Sequence, residues 1–377
     1  MFENCKKLMD GCQEKGVPAL DLIVYHQGKE VFREIRGVRD AEGKKPLRGD
    51  EKYNIYSCSK VVTVAAALQL LERGQIRLTD RLADYIPAFA DVRVGVDGDT
   101  TKAESPITLY QLFTMTSGIQ YLTGHPMIEL ARKETDGKCP TVKTMDYIAK
   151  IPLLFHPGES WKYGFNHDIL GAIIEIVTGM PFGEYVKRNI FDVCGATSAT
   201  FLQDESNLDG LCAQFEFNPT TNTFVDVGKK IQYYRLGGEF ESGGAGITCT
   251  MQDYIRFLEA MRTHKIISPE SVRQLNVNQL KPGRQTEVCW VEEGYGYGLG
   301  VRTPLPQSKR TDYGWGGAAG AMCAIDEQHG ITFFYAQHVL ESPAKNLRKD
   351  FIEAIKLDLG YPAFTESMYH GEGNALA

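Results

Sequence analysis

A mixed α/β fold, with an antiparallel sheet assembled from both chain ends, flanked by helices and enclosing a large, mostly helical insertion, is the architecture this sequence predicts. Three observations carry it. β-type runs occur near the N-terminus, β-type runs return toward the C-terminus, and the stretch between them carries helical spacing. One sheet built from both ends explains that order more economically than two consecutive domains would. The expected division is a discontinuous sheet domain, 1–56 with 290–377, and a helical domain, 57–289.

At the N-terminal end, ALDLIVYHQGKEVFREIRG reads as two β runs joined at Gln27-Gly28, with Leu20, Leu22 and Val24 alternating onto one face of a hairpin. In NIYSCSKVVTVAAALQLLERG, the residues from Val61 to Leu71 leave almost no polar face, so this helix is expected to lie buried between layers. The segments TLYQLFTMTSG, DILGAIIEIVTG, FGEYVKRNIF and MQDYIRFLEAMRTHK also carry helical periodicity and stop near glycine or polar residues. GAAGAMCAIDEQHGITFFYAQHV forms a second hairpin, turning through Asp326 to Gly330. Ser342-Pro343 then opens a last helix with a capping residue and a first-position proline; its stripe is Leu347, Phe351, Ala354, Ile355 and Leu359, and Gly360 stops it. The tail from Glu366 to Ala377 lacks periodicity and reads as mobile or as covering a surface.

Composition excludes several classes of function. With 41 basic and 48 acidic side chains the net charge is −7, which offers no footprint for nucleic acid. The N-terminus lacks the apolar core of a secretory signal, and no run approaches the about eighteen apolar residues of a membrane span, so a cytoplasmic protein without membrane contact is expected. Nine cysteines without a C-x-x-C pair fit reduced thiols, and the eight histidines are scattered, so no metal is expected. Gly243-Gly244-Ala245-Gly246 and Trp315-Gly316-Gly317 are glycine-rich, yet neither has the form of a phosphate-cradling loop.

Chemistry concentrates at the polar start of the apolar helix. Positions three and four apart meet on a helix, so Lys60 sits beside Ser57 and away from Ser59. A serine hydroxyl needs a base to become nucleophilic, and a lysine becomes one when burial lowers its pKa. The helix N-terminus would favour an anion at Ser57. Ser-x-x-Lys also occurs from Ser342 to Lys345, where it reads as a cap, so spacing alone leaves the first instance either catalytic or structural. Ser59 reads as a cap or core hydroxyl, and Cys58 as either a low-pKa thiol or a small buried filler.

The segment KYNIYSCSK with its apolar helix resembles the active-site segment of the class C β-lactamase and penicillin-binding-protein-like serine hydrolases, which include the family VIII carboxylesterases. LYQLFTMTSGI, PGESWKYGFNHDILGAIIEIVTG, GGAGITCTMQDYIRFLEAM, YGYGLGV and YGWGGAAGAMCAID follow in that family's order, so the likeness covers about residues 17–340. The resemblance implies a β-lactamase/transpeptidase-like fold, Ser57 as acyl-forming nucleophile and Lys60 with Tyr163 as proton carriers. It places the oxyanion between the backbone N–H groups of Ser57 and Ala318, and it requires no cofactor.

Two departures bear on the substrate. Where the lactamases have Tyr-x-Asn, this chain has Phe165 at the third position and Asn166 one later; where they have Lys-Thr-Gly, it has Trp315-Gly316-Gly317. The family's groups for an amide and a carboxylate are thus replaced by apolar surface. The glycines would let a substrate carbonyl approach closely, and Tyr121 is expected to help line the pocket. A small-molecule ester is therefore expected ahead of a β-lactam or D-amino-acid amide, with acyl transfer and a non-catalytic binding role as further alternatives.

Overall fold

Strand β1 (Ala19–His26) from the start of the chain pairs directly with a strand from its end, which makes the sheet the joint between the two terminal segments. The computed structural model describes residues 1–96, 98–202, 208, 210–228, 232–281 and 294–362. Helix α1 (Glu3–Glu14) precedes β1, and β2 (Lys29–Gly37) completes the first hairpin. The buried helix α2 (Ser59–Glu72) comes next, followed among others by α3 (Asn166–Thr178) and α4 (Met251–Arg262). Five strands then return to the sheet: β3 (Tyr295–Tyr297), β4 (Arg302–Pro304), β5 (Tyr313–Gly316), β6 (Met322–Asp326) and β7 (Ile331–Ala336), before helix α5 (Phe351–Asp358).

The strand order is β2-β1-β7-β6-β5-β4-β3, antiparallel throughout, with Asp21 opposite Ala336 and His26 opposite Ile331 across the joint. Alternation along β1 divides the core in two. Leu20, Leu22 and Val24 pack with Leu8 and Met9 of α1, Phe333 and Tyr335 of β7, and Phe351 and Ile355 of α5. Ile23 faces the other way, into the core shared with α2, α3 and α4. α2 is buried from Ser59 to Leu70, which its lack of a polar face requires.

Both predicted hairpins form where expected, the second with its turn between Asp326 and Ile331. The last helix differs. Residues 343–346 are turns, Leu347–Asp350 is a 3-10 turn and the α-helix starts only at Phe351. Ser342 accepts the Ala344 N–H at 3.2 Å and donates to Gln337, so it closes a turn instead of capping a helix. Gly360, with φ of 85°, ends the helix as predicted.

FGEYVKRNIF is one α turn, Phe182–Val186, continued by a π turn, Lys187–Phe191. A short strand pair not read from the sequence, Lys52–Asn54 with Thr248–Thr250, ties the segment before Ser57 to the loop at Gly243–Gly246. The eight described cysteines are unbonded. Among the described residues no single helix is long and apolar enough to cross a membrane. The expected boundary at residue 290 and the tail from Glu366 lie outside the described residues.

Candidate active site

The chain reaches Ser57 through a forced turn. Tyr56 has φ of 47°, a left-handed conformation costly for a bulky side chain, and its buried ring is held by a 3.0 Å hydrogen bond from its hydroxyl to Gln214 Oε1. The 3-10 turn Tyr56–Cys58 then runs into α2. Side chains three apart nearly eclipse in such a turn, which stacks Lys60 on Ser57. Lys60 Nζ lies 3.3 Å from Ser57 Oγ, the lysine fully buried and the serine 8% exposed.

Burial disfavours the charge on Lys60, although its immediate contacts favour it. Nζ donates to the Gly244 carbonyl at 2.7 Å and stands 4.4 Å from the centre of the Tyr163 ring. Burial pushes the ammonium pKa down to about 7, against the opposing pull of Asp168 and Cys58. Asp168, in the first turn of α3, accepts hydrogen bonds from Ser242 Oγ at 2.5 Å and from the Gly244 N–H at 3.2 Å, fixing the loop that receives Lys60. Burial in turn raises the Asp168 pKa. Glycine at 244 gives this loop its room: a Cβ there would lie 2.6 Å from both Asp168 Oδ2 and the Tyr121 hydroxyl, and one of these side chains would have to shift.

Tyr163 completes the group from the segment before α3. Its hydroxyl is 2.6 Å from Ser57 Oγ and accepts the Trp315 indole N–H at 3.2 Å, while the two rings stack with centres 5.9 Å apart. A donor aimed at the phenol oxygen favours negative charge on it. Trp315 therefore does more than present the apolar surface expected of it.

At the end of β5 the fold brings a second backbone amide to the serine. A Cβ on Gly317 would stand 2.3 Å from the Ile55 carbonyl, so this glycine lets the strand end seat against the segment entering Ser57. Gly317 thus accommodates a close approach of the protein's own backbone, and with Gly316 it also lines the cavity. Gly317 to Gly320 is a turn closed by the Gly320 N–H on the Gly317 carbonyl at 3.1 Å. Ala318 is its second residue, whose N–H points out of such a turn. Among the described residues neither this N–H nor that of Ser57 has an acceptor.

Ser57, Tyr163, Trp315, Gly316, Gly317 and Ala318 share the lining of one cavity of about 510 Å³. Three predicted residues do not. Tyr121 stacks on Phe165 with ring centres 4.5 Å apart, behind Tyr163, and Phe165 is 1% exposed. Asn166 spends its amide on Ser117 Oγ at 2.5 Å and Met115 Sδ at 3.2 Å. The reason is that α3 begins at Asn166, so the chain has already turned into the core. Of the two readings of Cys58 the structure selects the filler: it is buried, and burial raises its thiol pKa well above the ordinary value. Ser59 accepts the Ile247 N–H at 3.0 Å as a core hydroxyl.

The cavity also holds residues that the sequence did not single out. Trp161 and Tyr234 extend the aromatic wall, and Lys345, Asn346, Arg348 and Lys349 form its mouth. Trp161 stands two before Tyr163 in a segment outside the helices and strands, with the two ring centres 6.3 Å apart; an aromatic at that spacing was a usable signal. Nothing local marks the others. The C-terminal segment thus adds cationic side chains to a cavity whose strand motif carries none.

This fold, with a serine held between a lysine and a tyrosine at the head of a buried helix, defines a class: serine hydrolases and acyltransferases built on the β-lactamase scaffold. The chain belongs to the Beta-lactamase family, whose profile matches residues 4–355. It is similar to esterase EstB of Burkholderia gladioli, 26% identical over 82% of this chain and 83% of that protein. It is also similar to acyltransferase calJ of Penicillium decumbens, 24% identical over 86% and 85% respectively. In structure it matches simvastatin synthase LovD of Aspergillus terreus, with a TM-score of 0.78 at 20% identity, over 95% of this chain and 98% of the other.

Proposed function

We propose that the protein cleaves ester bonds of small molecules through an acyl-enzyme on Ser57. One observation carries this reading: the Ser57 hydroxyl lies 2.6 Å from a phenol and 3.3 Å from a buried amine at the wall of an aromatic cavity. Ser57 Oγ attacks the ester carbonyl carbon, and its proton passes to the Tyr163–Lys60 pair. The N–H groups of Ser57 and Ala318 hold the oxyanion. As the carbon–oxygen bond to the alcohol breaks, Tyr163 returns a proton to the leaving oxygen. Water then repeats these steps on the acyl-enzyme and releases the acid.

The aromatic wall supports an uncharged acyl or alcohol group, and the likeness to EstB supports ester over amide chemistry. A second reading, transfer of the acyl group to another alcohol, is supported by the cavity, whose about 510 Å³ leaves room beside a small acyl group, and by the likeness to calJ. Parallel assays with p-nitrophenyl butyrate, a chromogenic cephalosporin and a D-alanyl anilide test the assignment, and added butanol reports transfer as butyl butyrate. Ester turnover is expected to exceed the other two by orders of magnitude. Faster turnover of the cephalosporin would reverse the assignment.

The pH profile follows from Lys60. If the neutral amine is the base, kcat/KM for the ester rises with pH through about 7, where burial has moved the lysine, and levels off above it. The amine is protonated and inactive below that point, so the sign is a loss of activity on acidification. Initial rates from about pH 5 to 9 check it, one proton governing the limb. A rate flat across neutrality would remove Lys60 from the proton path.

A further inference from the structure

We propose that Arg348 is a positioning residue of the oxyanion hole, acting by polarising the Gly317–Ala318 peptide from behind. The proposal rests on the reading of Ser57 as acyl-forming nucleophile. Arg348 Nη1 donates to the Gly317 carbonyl at 2.6 Å and lies 3.3 Å from the Ala321 carbonyl. The Ala321 carbonyl also accepts the Gly317 N–H at 2.8 Å. One guanidinium thereby pins both ends of the turn that presents Ala318.

A peptide is a single resonance unit. A cationic donor on its oxygen draws electron density from nitrogen and leaves the N–H more positive, the same polarisation that strengthens chained hydrogen bonds by about 10–30% each. The N–H at the other end of the Gly317 carbonyl unit is that of Ala318, which has no acceptor among the described residues and lines the cavity with Ser57. Arg348 therefore acts on the oxyanion through a peptide bond without touching the substrate. The strand sequence accommodates it: a Cβ at Gly316, the position of threonine in Lys-Thr-Gly, would stand 3.3 Å from Arg348 Cζ. The same substitution that sets this chain apart from the lactamase motif clears space for the guanidinium.

The test compares the wild type with Arg348→Ala and Arg348→Lys, each verified as folded by circular dichroism. Fluorophosphonate labelling of Ser57 in the wild type comes first; an unlabelled wild type removes the acyl-enzyme reading and this one with it. In a labelled wild type the proposal expects Arg348→Ala to lower kcat for p-nitrophenyl butyrate by about 10- to 100-fold, below the cost of deleting an oxyanion donor outright, while KM changes little. Guanidinium added to that variant restores part of kcat. Cinnamoyl imidazole at low pH gives a chromophoric acyl-enzyme whose absorption maximum reports carbonyl polarisation; the maximum moves to shorter wavelength in Arg348→Ala and less in Arg348→Lys. An unchanged kcat, a loss carried by KM, or an unmoved maximum overturns the proposal and leaves the labelled nucleophile standing.

Discussion

Ser57→Ala is expected to lower ester hydrolysis by about 10⁴-fold or more, because a missing nucleophile removes the covalent path and leaves only oxyanion binding and proximity. The substitution is a clean probe of chemistry. Lys60 keeps its 2.7 Å bond to the Gly244 carbonyl, so the buried amine is not orphaned when the hydroxyl goes; Tyr163 loses the acceptor of its O–H but still accepts the Trp315 indole N–H and, lining the cavity, can turn its O–H to water. The melting temperature should therefore stay within a few degrees of the wild type, and the variant should take up no label from a fluorophosphonate. Retention of a tenth or more of the wild-type rate would show that Ser57 is not the nucleophile.

Tyr163→Phe is expected to lower kcat for an alkyl ester by about 10²- to 10⁴-fold, the range for a displaced general acid–base group. The ring is preserved, and with it the stack on Trp315 and the contact with Lys60. Only the oxygen at 2.6 Å from Ser57 is lost, leaving the lysine at 3.3 Å as the nearest base. If the phenol also protonates the departing alcohol, as proposed, the loss should be smaller for p-nitrophenyl butyrate, whose leaving group needs no proton, than for butyl butyrate. Steady-state rates for the pair give this ratio. Equal losses on both esters would confine Tyr163 to activation of the serine, and no loss on either would remove it from proton transfer.

Local pattern revealed what depends on neighbours in sequence. The alternation of Leu20, Leu22 and Val24 marks β1 because a strand buries every second residue, and the apolar run from Val61 marks α2 because nothing else could bury it. The Ser57–Lys60 contact follows from helical spacing. Tyr163 and Ala318 were reached only through family resemblance, since a tyrosine in a loop and an alanine in a turn carry no chemical signal of their own. Phe165 and Asn166 were misplaced because the start of α3 decides which of these residues face the cavity, and a one-residue difference at a helix start turns a side chain into the core. Tyr234 and Arg348 were missed for the opposite reason: their relation to Ser57 is set wholly by tertiary packing, as is the diversion of Ser342 from helix cap to turn.

The pairing of β1 with β7 also sets an order of events during synthesis. β1 emerges early, yet its partner follows only after the entire insertion has been made, so this one pairing, unlike those between consecutive strands in the rest of the sheet, is of the distant kind that forms slowly. Until β7 arrives, one edge of the first hairpin is exposed to other chains. The Ser57 segment can become helical well before then. The amide at position 318 cannot join it until the ribosome has delivered β5 and the turn that follows, so the two backbone N–H groups proposed to hold an oxyanion meet only after the whole insertion has been made.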